Sequence, residues 1–232
     1  MRIFAKCEYS RSLDRSFMKS HYDGDCRRCP RLAGFLDDVK RRNPTFFCKP
    51  VPPFGVETPR LLIVGLAPGL NGANRTGRPF TGDYAGSLLY STLHKYGFAT
   101  SPEPLTAASE PNPALQLIDC RISNAVKCLP PENKPTPEEI RVCNTFLANE
   151  LAGTPSIRVL LALGQIAHQA VLRGVGLKQS AFAFGHSARH VLPDGRVLID
   201  SYHCSRYNTQ TRRLTEAGFH QVFDQIRVEL AR

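Results

Sequence analysis

Eight cysteines occur in the 232-residue sequence, and four of them are spaced as metal ligands are. Two belong to the segment CRRCP, Cys26 and Cys29, and two flank a proline-rich turn with 14 residues between them, Cys128 and Cys143. Tetrahedral zinc and an iron-sulfur cluster both accept four thiolates. The spacing therefore predicts a four-cysteine metal centre and leaves its metal open. We expect ordinary roles, mostly burial, for the remaining cysteines: Cys7, Cys48, Cys120 and Cys204.

A second segment suited to chemistry is the loop GLAPGLNGANRTGRPFTGD at residues 65–83. It has neither GxGxxG nor GK followed by Ser or Thr, which argues against a triphosphate site. Its glycines permit close backbone approach to a ligand, and Phe80 among them offers a flat ring for stacking on a base. Packing is the alternative role of Phe80. Asp83 is either the cap of the following helix or a carboxylate of the site.

Two further polar residues stand at the ends of predicted strands. The Asn124 amide has one acceptor and two donor hydrogens, which match the adjacent donor and acceptor of a pyrimidine edge. His203 precedes the basic segment CSRYNTQTRR and can donate a hydrogen bond to negative charge that develops on a ligand oxygen. A turn-forming Asn and a structural His are the alternatives.

Short apolar runs alternate with helix-like segments from residue 60 onward, which is typical of a parallel sheet with helices on both faces. We predict strands at 61–67, 120–128, 158–164 and 196–203, and helices at 83–97, 136–153, 165–174 and 214–232. The second helix has the clearest start, because Thr136, Pro137 and Glu139 match a capping box with proline at the first helical position. The predicted fold is a three-layer α/β/α sandwich around a four-stranded, mainly parallel sheet.

Ligands of such sheets bind at the carboxyl ends of the strands, and the loops that leave those ends are polar and basic here. Thirty Lys and Arg against 20 Asp and Glu give a formal charge of +10. This charge favours polyanionic partners, of which nucleic acid is the leading class. Seven basic residues fall in segments that we assign to loops on one rim: Arg75, Arg78, Lys127, Arg189, Arg206, Arg212 and Arg213.

The length permits one domain, and no domain-scale linker interrupts it, so we expect a single domain over residues 1–232. Residues 99–114 are rich in proline and small polar residues, which predicts an exposed loop or small insertion. The sequence has no apolar run of about 18 residues and no signal-peptide pattern. We therefore expect a cytoplasmic protein without membrane contact, whose cysteines stay reduced.

Read in order, GLAPG, NRTGRPFTGD, SNAVKC and SYH before a basic loop ending in RLT resemble the motifs of the uracil-DNA glycosylase superfamily, specifically its family 5 branch, UDGb. The resemblance covers most of the chain. It implies a monofunctional DNA glycosylase that flips uracil and other deaminated bases out of DNA and hydrolyses the N-glycosidic bond, leaving an abasic site. The partner it implies is double-stranded DNA with a damaged base, with single-stranded DNA as a second form. We expect the protein to be a monomer.

The resemblance also implies residue roles. The four spaced cysteines ligate a 4Fe-4S cluster that ties in the N-terminal segment, about residues 1–58. Phe80 stacks on the flipped base, Asn124 hydrogen-bonds it, and His203 stabilises charge on the leaving uracil. The first motif has no polar side chain, as is typical of family 5, so Asp83 orients water or stabilises the cationic sugar. Implied substrate-binding residues are Gly65, Ala67, Pro68, Gly69, Phe80, Asn124 and His203, and implied DNA contacts are Arg75, Arg78, Arg189, Arg206, Tyr207 and Arg212.

The sequence departs from the family pattern at two points. Where the family continues HPS, Cys204 follows His203, and Arg212 or Arg213 stands where a glycine is expected before RLT. Proline stiffens the loop that enters the minor groove, so its loss loosens a wedge formed by Tyr207 and Gln210. The missing first-motif carboxylate and the altered HCS leave one alternative to the glycosylase, a noncatalytic iron-sulfur protein that binds damaged or single-stranded DNA. The open identity of the metal leaves another, a zinc-ribbon regulator.

Overall fold

The computed structural model of the protein describes residues 21–107 and 110–232. A six-stranded sheet forms its centre. In chain order the strands are β1 (Phe54–Gly55), β2 (Leu61–Gly65), β3 (Cys120–Asn124), β4 (Val159–Leu163), β5 (Arg189–Val191) and β6 (Val197–Ser201). Their order across the sheet is β1-β3-β2-β4-β6-β5. The inner four are parallel, and β1 and β5 pair antiparallel at the two edges.

The four inner strands are those that the sequence predicts. The edge strands β1 and β5 were not predicted, because two and three residues are too few to show an alternating pattern. All five residues of β2, β4 and β6 are buried, as is usual for parallel strands with helices on both faces. This double burial explains why β2 and β4 are continuous apolar runs in the sequence, whereas β6 ends in the buried polar residues Asp200 and Ser201.

Seven α-helices lie in the described part of the chain: α1 (Pro30–Arg42), α2 (Ala73–Thr76), α3 (Tyr84–Lys95), α4 (Pro137–Gly153), α5 (Gln165–Gly174), α6 (Arg206–Gln210) and α7 (Glu216–Ala231). The four predicted helices are α3, α4, α5 and α7. The predicted start of α4 is confirmed, because Thr136 and Glu139 form a reciprocal capping box and Pro137 is the first helical residue. The 13-residue helix α1 and the short helices α2 and α6 were not predicted from the sequence.

The helices cover both faces of the sheet. Leu61 and Ile63 of β2 point to one face, where they pack in a core with Leu89 of α3 and Phe223 of α7. Leu62 points to the opposite face, where α4 and α5 complete a second core. Burying such a side chain stabilises the fold by about 1.5–3 kcal/mol. The structure is therefore the predicted three-layer α/β/α sandwich, built on a wider sheet.

A third, smaller apolar cluster connects α1 to the segment after β3. Leu32 and Leu36 of α1 pack there with Val126 and with Phe146 of α4. Residues 1–20, with Cys7, and residues 108–109 of the predicted loop lie outside the described residues. None of the helices described is long and apolar enough to cross a membrane. The single-domain organisation stays a prediction.

Candidate active site

A cavity of about 370 Å³ opens at the carboxyl edge of the sheet, beside the ends of β2, β3 and β6. Its volume is in the range of small-molecule sites. The lining includes six of the predicted substrate or catalytic residues: Ala67, Gly69, Phe80, Asp83, Asn124 and His203. Tertiary structure thus brings together residues that are up to 136 positions apart, since the lining runs from Ala67 to His203. Gly65 and Pro68 do not line the cavity, although Gly65 lies against Phe80 and Asn124 in its wall.

Phe80 forms one wall of the cavity. Its side chain is buried, and its backbone is left-handed, with φ of +53°. The ring lies 5.8 Å from the His203 ring, centroid to centroid, at an interplanar angle of 26°. A Cβ atom on Gly65 would lie 2.8 Å from the Phe80 ring and 2.5 Å from Asn124 Oδ1. Gly65 is therefore needed so that the aromatic ring and the amide can approach the end of β2.

Asp83 has two functions that the sequence presented as alternatives. Its Oδ1 accepts a hydrogen bond from the Gly86 backbone N–H at 2.9 Å and so caps α3. Its Oδ2 points toward the loop, where a Cβ on Gly72 would lie only 2.5 Å away. The carboxylate therefore caps the helix with one oxygen while the residue lines the cavity. Sequence reasoning missed Gly72, which leaves room for this carboxylate.

Asn124 is the last residue of β3 and is 3% exposed. Its Oδ1 is buried and has no hydrogen-bond partner within the protein. A buried acceptor without a donor costs about 1–3 kcal/mol, so this amide is poised to accept a hydrogen bond from a ligand in the cavity.

His203 follows β6 by two residues. Burial lowers its pKa below the ordinary value of 6.5, and the nearby Asp83 carboxylate opposes this only in part. The imidazole is therefore neutral at pH 7, and it retains one N–H donor. Asn208 Nδ2 donates to the His203 backbone carbonyl at 2.8 Å and so connects α6 to the cavity. The departure Cys204 is fully buried, with its thiol 3.4 Å from the Ala85 carbonyl oxygen.

The exposed helix α6 borders the cavity. Its residue Arg206 lies over the Tyr84 ring, 5.5 Å from the centroid, and both residues line the cavity. Tyr207 is 71% exposed, the geometry that a wedge residue needs. Arg212, where the family pattern expects glycine, has φ of +56°, a conformation that glycine adopts without strain. Two further predicted DNA contacts, Arg75 and Arg78, lie in the glycine-rich loop of residues 65–83. Their guanidinium groups donate hydrogen bonds to the backbone carbonyls of Asn71 and Asn112, respectively.

Two of the predicted rim positions are wrong. Arg189 is in the edge strand β5, where its guanidinium pairs with the Glu229 carboxylate at 2.9 Å. Lys127 is only 2% exposed, and its ammonium donates to Ser123 Oγ at 2.5 Å. Lys127 does follow β3 in a loop, as predicted, but its side chain is buried. Arg189 lies in a strand, where Glu229 neutralises its charge.

The four spaced cysteines line one small cavity between α1, α4 and the segment after β3. Cys26 and Cys29 precede α1, Cys128 follows β3, and Cys143 lies in α4; all four are free thiols. Burial, followed by the neighbouring cysteines, raises the pKa of Cys29 to about 11 and that of Cys128 to about 12. The Lys127 backbone N–H contacts Cys143 Sγ at 3.2 Å. This donor set suits a soft metal centre, whose positive charge would favour the thiolate forms.

The remaining described cysteines are buried, as predicted: Cys48, Cys120 and Cys204. Cys48 packs in the same apolar cluster as the four spaced cysteines, whereas Cys120 and Cys204 belong to the core on one face of the sheet. Some cavity residues were missed by sequence reasoning. Tyr84 and Ser205 line the cavity but were not predicted as site residues. Each is the neighbour of a motif residue and belongs to no recognisable motif itself. Asn133 enters the lining from the proline-rich turn, where Glu132 and Asn133 have φ of +54° and +56°. No feature of the sequence predicts that turn geometry.

The fold and the cavity define an α/β/α protein with a ring-sized ligand site at the carboxyl edge of its sheet. The family model described as the uracil DNA glycosylase superfamily matches residues 52–227 of the sequence. The chain belongs to this superfamily, as the sequence motifs predicted.

Individual relatives refine this placement. The chain is 48% identical over 202 residues to the type-5 uracil-DNA glycosylase of Thermus thermophilus, across 85% of this chain and 90% of that protein. It is 37% identical over 195 residues to the type-5 uracil-DNA glycosylase of Pyrobaculum aerophilum, across 82% and 83%. The type-4 uracil-DNA glycosylase of Archaeoglobus fulgidus is 34% identical over 120 residues, across 51% and 50%. Similarity to the type-5 proteins thus extends over far more of the chain.

Proposed function

We propose that this protein is a type-5 uracil-DNA glycosylase, which flips uracil out of DNA and hydrolyses its N-glycosidic bond. The observation that carries this proposal is the unpaired, buried Asn124 Oδ1 in a cavity that Phe80 and His203 also line. Uracil presents an N3–H donor between two carbonyl oxygens, so it satisfies this acceptor. The type-5 names of relatives that cover most of the chain support the same assignment.

In the proposed mechanism the uracil ring lies against Phe80, with its N3–H donating to Asn124 Oδ1. The bond between the sugar C1′ and uracil N1 breaks, and its electron pair leaves with the base. The neutral His203 donates a hydrogen bond to uracil O2, where negative charge develops. Such a donor contributes about 2.7–4 kcal/mol to stabilising a transition state.

The departing base leaves an oxocarbenium-like sugar, which water attacks at C1′. The Asp83 carboxylate is the acidic group of the cavity. It stabilises the positive charge of the sugar and orients the water, while its Oδ1 stays on the Gly86 N–H. Because Ala67 offers no polar atom, the first motif contributes space and leaves this function to Asp83. The attacking water loses a proton as its oxygen bonds to C1′, and the uracil anion takes up one proton, so the products are an abasic site in the DNA and neutral free uracil.

We also propose that Cys26, Cys29, Cys128 and Cys143 hold a 4Fe-4S cluster. No three of these described sulfur atoms lie within 4.8 Å of one another. A tetrahedral zinc ion with Zn–S bonds of about 2.3 Å would hold its sulfurs about 3.8 Å apart, so the wider arrangement favours a cluster over one zinc ion. Bound there, the cluster would cross-link α1, α4 and the segment after β3. Its role is structural, because the turn at 131–134 that carries Asn133 lies between two of its ligands.

The test of activity is incubation with a duplex that holds one uracil, followed by alkali to cleave abasic sites. We expect strand cleavage by the wild-type protein and its loss in Asn124→Ala. Retention of the uracil duplex in a gel shift without cleavage would instead support a noncatalytic DNA-binding protein. Single-stranded uracil DNA and duplexes with hypoxanthine or xanthine, run in parallel, establish the range of substrates.

The test of the cluster is the metal content of the purified protein. We expect brown protein with about four iron and four sulfide per chain. Cys26→Ser should be colourless and less stable, whereas the buried Cys48→Ser, outside the four-cysteine group, should keep the colour. Colourless wild-type protein with one zinc at the cysteines would contradict the proposal and favour a zinc site.

A further inference from the structure

Three side chains of metal-binding type converge away from the cavity and away from the cysteines. They are His168 of α5, His190 of β5 and Asp200 of β6. One ligand atom from each lies within 4.8 Å of the others. His168 Nδ1 is 2.8 Å from Asp200 Oδ1, and His190 Nε2 is 3.4 Å from Asp200 Oδ2. The side chains are 2%, 17% and 0% exposed, respectively.

Two polar atoms of this group face each other at 3.4 Å without forming a hydrogen bond. Asp200 Oδ2 and His190 Nε2 are both buried, and neither makes a hydrogen bond within the protein. The His168–Asp200 contact accounts for Oδ1 alone and leaves both of these atoms unsatisfied. Buried polar atoms are nearly always paired, and those that are not require an explanation such as a bound ion. A cation between the carboxylate and the imidazole would satisfy both atoms at once.

We propose that His168 Nδ1, His190 Nε2 and Asp200 form a binding site for a zinc-type divalent metal ion. Two imidazoles and a carboxylate are a ligand set that zinc accepts, with bonds of about 2.0–2.2 Å. Tetrahedral bonds of that length place neighbouring ligand atoms about 3.3 Å apart, close to the observed 2.8 and 3.4 Å.

The surroundings fit a metal-bound histidine. The other ring nitrogen of His168, Nε2, lies 3.0 Å from the Phe182 carbonyl oxygen. Metal-binding histidines commonly donate their second N–H to a carbonyl in this way, which fixes the tautomer and the ring orientation. Phe184 packs edge-on against His168, and Phe182 packs edge-on against His190. These rings shield the group from water, and the partly exposed His190 offers the metal an entry path.

The metal ion would add a cross-link between α5 and the two strands β5 and β6, which already pair antiparallel. The edge strand β5 has only three residues, and it would be tied through the metal to β6 and to α5. The expected result of binding is a more stable edge of the sheet. The inference is independent of the proposed glycosylase function, because none of its three residues lines the cavity of the active site.

The experiment uses full-length purified protein with its iron intact, dialysed against ZnCl₂ and then against zinc-free buffer. We expect one zinc per chain by mass spectrometry, in addition to iron, and a higher melting temperature in zinc. X-ray absorption at the zinc edge should show nitrogen and oxygen ligands at about 2.0–2.2 Å, and no sulfur shell at about 2.3 Å. A sulfur shell, or no retained zinc, would overturn the proposal.

Two variants localise the metal. His190→Ala should lose the zinc and the melting shift, and the milder His190→Gln serves if the first does not fold. The matched control His94→Ala removes an exposed histidine of α3 and should keep both. Zinc binding in His190→Ala or His190→Gln equal to that of the wild type would contradict the assignment. Glycosylase assays are not needed for any of these outcomes.

Discussion

The two ends of the sheet carry cavities of different size and opposite chemical character. The cavity at the amino edge, near Val159 and Val197, has a volume of about 570 Å³ and is the larger. Its lining is rich in arginine, but Arg189 is paired with Glu229 and Arg196 with Asp194. The carboxyl-edge cavity, at about 370 Å³, is smaller but contains the unpaired Asn124 Oδ1. The two cavities therefore differ in that the arginines of the larger one are paired with carboxylates, whereas the smaller one contains a buried acceptor that a ligand could satisfy.

The largest effect should come from removing charge and donors at the carboxyl edge. We expect His203→Ala and Asp83→Asn each to lower uracil excision about 10²- to 10³-fold in single-turnover assays, because each removes electrostatic stabilisation of the transition state. Asparagine caps helices about as well as aspartate, so Asp83→Asn keeps α3 intact where alanine would not. Binding of the uracil duplex should change little. Parent rates in both variants would contradict the site.

Filling the space beside Asn124 should give the next largest effect. In Gly65→Ala the new methyl group would lie 2.5 Å from Asn124 Oδ1, so the amide and Phe80 must shift. We expect a large loss of excision and about 1–3 kcal/mol lower stability, the usual cost of overpacking. Gly34→Ala in α1 is the control, because nothing lies within 4 Å of its added methyl group.

That control should gain about 0.5–1 kcal/mol, since alanine favours an exposed helix interior over glycine. Thermal unfolding and excision are measured on both variants. Equal activity of Gly65→Ala and wild type would show that close approach at the end of β2 is not required.

The pH dependence of excision should reflect the lowered pKa of His203. Because the folded pKa lies below 6.5, the imidazole stays neutral to lower pH in the folded protein than in the unfolded chain. Its contribution to stability is therefore present above about pH 6.5 and is lost as the pH falls, since the unfolded chain then binds the extra proton. Excision that uses the neutral donor should stay constant between about pH 8 and 6.5 and decline only below. In His203→Asn the excision rate should not decline at acidic pH. If the excision rate of the wild type instead falls to half at a pH above about 6.5, this would argue against a neutral His203.

The smallest effects should distinguish arginines of the two ends. Arg206→Ala, beside the carboxyl-edge cavity, should weaken duplex binding and reduce the slope of log K against log salt by about 0.9. Arg189→Ala, at the amino edge, should leave this slope unchanged. Because Arg189 is 38% exposed, loss of its pair with Glu229 should lower stability by less than about 1 kcal/mol. Equal slopes in the two variants would remove the distinction between the two ends.

Much of the fold follows from patterns that are local in sequence. Short apolar runs that alternate with helix-like segments predicted the four inner strands, and the Thr136 capping box predicted the start of α4; both are confirmed. The superfamily is confirmed as well. The edge strands escaped prediction because they are only two and three residues long. The neutralised Arg189 and the buried Lys127 escaped it because ion pairing with Glu229 and burial in the packed protein are not visible in the neighbouring sequence.

The roles of Asp83, Asn124 and His203 stay predictions, although the structure places all three at one cavity. Sequence alone could name these residues, since motifs preserve residue types and their order. It could not show that Asp83 uses its two oxygens differently, or that Asn124 Oδ1 lacks a donor.

The sequence by itself determined the main strand and helix segments, the superfamily and the residue types at the site. Apolar periodicity, helix capping and motifs depend on residues that are close together in the sequence, so they can be recognised without a structure. Only the tertiary structure decided which charges are neutralised, which polar atoms stay unpaired and where His168, His190 and Asp200 meet. Hydrogen bonding and desolvation depend on distances between segments remote in the chain, and those distances exist only after the strands have paired and the helices have packed.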